Sequence, residues 1–280
     1  MNNINKSNIY EEKVIKMMNS KDLIELADHF HDFLDFVRSL KDKEEIFEKV
    51  IEILEPYQNN LISKKDKKPY VILKGKKAIT GFLWLIWPHT GSGDERMKEL
   101  EDQWKIMRLT MRRTSSNNRL TPEKIDFLMQ HIESKFSYCS KILGNRQLKI
   151  LLINNSTIDF NSFVFTRRLS TGKLDDAVIL TYPRPMFPYH QETTLYHELG
   201  HILHIRLTNS SDKIPKCFQN GIHCPDKDPR EIFAEYFSAS ALFGSGLEAE
   251  NELSDLHKKN RASSEWFFNS LINQTSLFEI

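Results

Sequence analysis

Nine residues, YHELGHILH at 196–204, constrain this chain of 280 residues more than any other stretch. His197 and His201 are four apart, and on an α-helix residues four apart differ by only about 40° in direction. The flanks, TTLY before and ILH after, are apolar and helix-compatible, so the motif is predicted to lie on a buried helix. Two imidazoles on one helical face can chelate a single Zn2+ through ring nitrogens. Glu198 follows His197 and is placed to take a proton from a water that zinc has made acidic. Gly200 costs up to about 1 kcal/mol in a helix interior, which a closely packed neighbour would explain. An ordinary amphipathic helix could also carry these residues, so the rest of the chain has to supply context.

A catalytic zinc takes a third protein ligand and keeps one position open. His204 lies too close to His201 on the chain to be that ligand, and no later histidine has the required spacing. A carboxylate on a later helix is the alternative. The run DPREIFAEYFSASALFG, 228–244, begins with the helix-start pair Asp228–Pro229. Glu231 and Glu235 share one face of it among Ile232, Phe233, Ala234 and Phe237. Acids on so apolar a helix are costly to bury unless something positive lies opposite, and a zinc ion with its histidines would be that. A solvated stripe paired to a Lys or Arg is the other reading.

The remaining sequence sorts into a helical first half and a mixed second half. Leu23, Leu26, Phe30, Phe33, Phe36, Val37 and Leu40 make a helical stripe over 21–40, and Ile46, Phe47, Val50, Ile51 and Leu54 another over 43–55, stopped by Pro56. YVIL at 70–73 is strand-like, AITGFLWLIWP at 78–88 is core, PHTGSG at 88–93 is a loop, and 94–113 is helical. The polar TSSNNR at 114–119 is the best boundary, dividing residues 1–118 from 119–280. Thr121 and Pro122 then start a helix ending near Gly144. Three strand-like runs follow at 148–154, 162–168 and 177–183, the last two joined by LSTGKLDD as a hairpin loop. Helices are predicted at about 190–207, 229–243 and 263–275.

Composition narrows the partners. With 39 basic and 38 acidic residues the formal net charge is +1, which gives no electrostatic footprint for nucleic acid. The most apolar run is about half the ~20 residues of a membrane span, so no transmembrane segment is expected. The N-terminus lacks an apolar core and a small-residue cleavage site, so no signal peptide is read and a cytoplasmic location is expected. Three cysteines, Cys139, Cys217 and Cys224, cannot all pair, which fits a reducing compartment. Cys217, His223 and Cys224 could form a second metal site, though their spacing is not the usual one for zinc.

HELGH followed by EIFAEYF resembles the zinc proteases of the His-His-Glu type. The likeness is nearest to the anthrax lethal factor-type protease domain and the Pro-Pro endopeptidases, over about residues 120–280. TLYHELGHILH is equally similar to the thimet-type oligopeptidases, whose later His and Tyr motif has no counterpart here. The resemblance implies a helix-rich α+β chain: a zincin-like metalloprotease domain with a small sheet, an active-site helix and a C-terminal helical lobe. A mostly helical region of unknown role would precede it. It implies Zn2+ held by His197, His201 and Glu231, with Glu198 as general base. Glu235 would orient a ligand histidine through its other ring nitrogen. Family members place a tyrosine near the oxyanion where this chain has Cys224. His223, Tyr236, Tyr182 or Tyr189 then become candidates for that role. The strand before the motif helix, AVILTYP, is expected to be a sheet edge that pairs with an extended substrate. The partner implied is a protein or peptide substrate, and the likeness to a toxin domain raises translocation into a host cell as an effector. A zinc-holding regulatory domain with little or no proteolysis is the competing class.

Overall fold

The computed structural model describes residues 3–61, 70–110, 122–135, 147–153, 162–168, 174–180, 190–216 and 228–242. Within these the chain is helix-rich with one small mixed sheet, an α+β arrangement. Five helices belong to the first half: α1 Asn3–Met18, α2 Leu23–Arg38, α3 Glu44–Leu61, α4 Lys76–Ile86 and α5 Gly93–Thr110. Strand β1, Tyr70–Lys74, lies between α3 and α4. Helix α6, Pro122–Lys135, leads into β2 Leu148–Leu152, β3 Ser162–Arg168 and β4 Leu174–Leu180. Helices α7, His190–Thr208, and α8, Pro229–Leu242, complete the described chain.

The helical stripes bury as their spacing requires. In α2 the residues Leu23, Leu26, Ala27, Phe30, Phe33, Leu34 and Val37 are buried, and Asp22 caps the first turn by accepting from the Glu25 N–H at 2.9 Å. Helix α3 corrects the expectation that Pro56 ends it, because the helix runs on to Leu61 with Pro56 inside. Pro56 and Glu52 are both exposed, so the Glu52 carbonyl that loses its N–H partner can turn to water. Gln58, two residues further, is buried.

The sheet order is β1-β2-β4-β3, with β1–β2 and β2–β4 parallel and β3–β4 antiparallel. β1 comes from before residue 118 and the other three strands from after it, so the sheet draws on both sides of the 118/119 boundary. The β3–β4 pair is the expected hairpin, although β4 begins at Leu174, inside the stretch read as loop. β4 is not an edge strand as expected. It sits between β2 and β3, and among the described residues the edges are β1 and β3.

Alternation along β2 explains its near-continuous apolar sequence. Leu151 and Ile153 join Leu73, Ala177 and helices α1 to α5 in one core. Leu148 and Ile150 join Tyr70, Val178 and helices α6, α7 and α8 in a second core on the other face. The sheet is therefore the middle layer, with helices on both sides. Lys149 breaks the apolar run but is only 2% exposed, because Asp175 on β4 meets its Nζ at 2.6 Å and also accepts from Trp84 Nε1 at 3.2 Å. On the opposite face Asp176 takes a two-point contact from Arg206 of α7, with Nη2–Oδ1 at 2.6 Å and Nε–Oδ2 at 3.0 Å. That buried pair fixes the motif helix to the sheet. No helix among the described residues is long and apolar enough to cross a membrane.

Candidate metal centre

Helix α7 carries the motif within a turn of its predicted limits and buries Tyr196, Leu199, Ile202 and Leu203. Helix α8 lies against it, burying Ile232, Phe233 and Phe237 in the same core. Gly200 explains how closely they approach. A Cβ there would stand 2.7 Å from the Cα of Ala234 and 3.2 Å from Phe237 Cβ. Gly200→Ala should therefore destabilise the protein, since overpacking of about 1–3 kcal/mol outweighs the gain of up to about 1 kcal/mol in helix propensity. The opposing atom is backbone, so α8 itself must shift, and zinc affinity should fall with it. An unfolding midpoint and a chelator competition would check this, and unchanged values in both would contradict it.

The start of α8 is tied down by its own sequence. Asp228 accepts from the Arg230 N–H at 2.9 Å and pairs with the Arg230 guanidinium, which holds its carboxyl down to about 2. Arg230 also reaches the Ser211 carbonyl and the Asp212 carboxylate, both at 3.3 Å, in the segment that follows α7. These contacts place Glu231, in the first turn of α8, over the face of α7 that carries the two histidines.

Three groups converge there. His197 Nε2 lies 3.1 Å from His201 Nε2 and 3.2 Å from Glu231 Oε2, and His201 Nε2 lies 3.4 Å from Glu231 Oε1. Ligands about 2.0–2.1 Å from a tetrahedral zinc are about 3.3 Å from one another, so the spacing fits that ion. The carboxylate straddles the rings, one oxygen towards each. The site opens outward from His201, 14% exposed, through His197 at 25% to Glu231 at 53%. The outer side of the group is therefore open to solvent.

Behind the pair sits His204, buried at 1% exposure. Its Nε2 is 3.2 Å from His201 Nδ1, and its Nδ1 is 2.9 Å from the Lys213 carbonyl oxygen. The chain delivers that carbonyl by a sharp reversal: Asn209, at φ 51°, ends α7 in the left-handed conformation that asparagine tolerates. Burial lowers both inner histidines from an ordinary 6.5 to about 4, with His197 adding to the effect at His201 and His201 adding to it at His204. Both rings are thus uncharged at neutral pH, as metal ligation and its support require. Between pH 6.5 and about 4 the unfolded chain takes up protons that these folded rings refuse. Stability of the metal-free protein should then fall as pH falls through that window. A lower denaturant midpoint at pH 5 than at pH 7 is expected, and equal midpoints would count against it.

The structure brings together His197, His201 and Glu231, the three residues drawn from spacing and resemblance, as a group able to hold a metal ion. Glu198 is on the same helix, 7% exposed, about 100° round from His197. Glu235 is half-buried one turn beyond Glu231. For His201, the place at the other ring nitrogen is held by His204. Tyr236 is 3% exposed within the apolar core, about 140° round α8 from Glu231. Cys217, His223, Cys224, Tyr182 and Tyr189 lie outside the described residues, as does the helix expected at 263–275. His204, excluded by spacing as a third ligand, is a neighbour of the group that its i, i+3 relation to His201 signals. The chain was compared with protein-family models, curated proteins and solved structures, and it matches none of them.

Proposed function

We propose that the chain is a zinc-dependent endopeptidase of the His-His-Glu type. The observation that carries this reading is the convergence of His197, His201 and Glu231 at tetrahedral spacing, from two helices whose contact is set by Gly200. The HELGH and EIFAEYF runs that carry these three residues, with their likeness to the lethal factor-type domains and Pro-Pro endopeptidases, agree with it. Zinc bound there would polarise a peptide carbonyl and make a water acidic near neutral pH.

The remaining chemistry belongs to the chain. Glu198 takes the proton from the attacking water and passes it to the leaving amine nitrogen. Its burial suits a base that must work away from bulk solvent. His201, held from behind by His204, keeps its ring fixed. Strand β3 is an edge among the described residues, and α7 packs against both β3 and β4. An extended substrate adding to that edge would run beside the motif helix, its backbone bonded by strand addition.

The test is hydrolysis of a peptide library and of denatured proteins, with new N-termini mapped. Cleavage should stop on chelation, return on adding zinc, and be absent from His197→Ala protein. Cleavage that survives His197→Ala would overturn the proposal.

A further inference from the structure

We propose that His204 is a positioning residue that locks His201 in the tautomer able to bind metal; the inference deepens the zinc reading and rests on it. The chain of hydrogen bonds runs from the Lys213 carbonyl through His204 to His201 and on to the centre. A backbone carbonyl can only accept, so His204 Nδ1 carries the proton in the 2.9 Å contact. A neutral imidazole has one N–H, which makes His204 Nε2 an acceptor. His201 Nδ1, 3.2 Å away, is then the donor. His201 Nε2 is left as an acceptor, served in the metal-free protein by the Nε2–H of His197 at 3.1 Å, a proton that also reaches Glu231 Oε2 at 3.2 Å. The opposite tautomer of His201 would set two lone pairs against each other in a buried contact, which low dielectric makes costly.

A ligand histidine is ordinarily oriented by a carboxylate, a carbonyl or water. Here a second histidine relays a backbone carbonyl one ring further in. The relay begins at Asn209, whose left-handed turn brings Lys213 back beneath α7, so the loop after the helix sets the proton position on the ligand. The packing of His204 edge-on to Phe233 of α8, centroids 5.8 Å apart, holds the relay ring in place. The sequence sign of the device is H-E-x-x-H-x-x-H followed by a short polar turn.

The tautomers are read directly on metal-free wild-type protein labelled with 15N-histidine, by long-range proton–nitrogen correlation, with His201→Ala assigning the signals. Both His201 and His204 should carry their proton on Nδ1. His201 protonated on Nε2 would overturn the proposal, and this measurement needs no variant at the relay to fold. In His204→Phe, His201 should lose its single tautomer and zinc affinity, measured against a chelator, should drop about 10- to 100-fold. His204→Gln, whose amide can accept from His201, should recover most of that loss. A folded His204→Phe that binds zinc as wild type does would also overturn the proposal. Failure of the wild type to bind zinc at all would instead overturn the metal reading, while the tautomer measurement still decides the relay.

Discussion

Glu198→Gln protein is expected to fold and bind zinc as the wild type does, yet to hydrolyse peptides about 10²- to 10⁴-fold more slowly. The three ligand candidates are untouched by the change, and Gln has the same shape as Glu. What is lost is a carboxylate able to take a proton from water and return it to the leaving amine. Because Glu198 is buried on α7, replacing a charge by a neutral amide adds no cost of burying charge. Retained zinc with lost turnover would separate base chemistry from metal binding. Unchanged turnover would place hydrolysis at another group.

Asp176→Ala should lower stability by about 3–5 kcal/mol, the usual result of removing one partner from a buried ion pair. Arg206 and Asp176 are each only 3% exposed, so the mutation takes the carboxylate away from a buried guanidinium. The consequence reaches the site, because Arg206 anchors the last turn of the helix that carries His197 and His201. Replacing both partners by apolar residues of similar size should recover much of the loss. Equilibrium denaturation measures both variants. A loss below about 1 kcal/mol in Asp176→Ala would mean that Arg206 finds another partner or reaches water.

The histidine pair was legible in the sequence because i, i+4 spacing fixes one helix face. Spacing left Glu231 and Glu235 both open on the later helix, and the choice of Glu231 rested on the resemblance; the side chain is 53% exposed in the first turn of α8, so burial of an acid was not the signal. The same period gave the stripe of α2, where the expected positions Leu23, Leu26, Phe30, Phe33 and Val37 are buried. Strand order was not legible. AVILTYP reads like any half-apolar strand, and only pairing over long sequence distances places β4 between β2 and β3. Lys149 in the middle of β2 could not be understood without Asp175, 26 residues on. Pro56 misled because the cost of a proline depends on whether the orphaned carbonyl can reach water. Spacing excludes His204 as a metal ligand and says nothing of a place behind one. The actual partners of His204 are another histidine and a carbonyl presented by the turn at Asn209.

The most direct test of the account is the zinc content of protein purified without chelators and titrated with zinc. One tightly held zinc per chain is expected, lost from both His201→Ala and Glu231→Gln protein under a chelator that the wild type resists. Folded wild-type protein that takes up no tight zinc, or a zinc that stays in both variants, would contradict it.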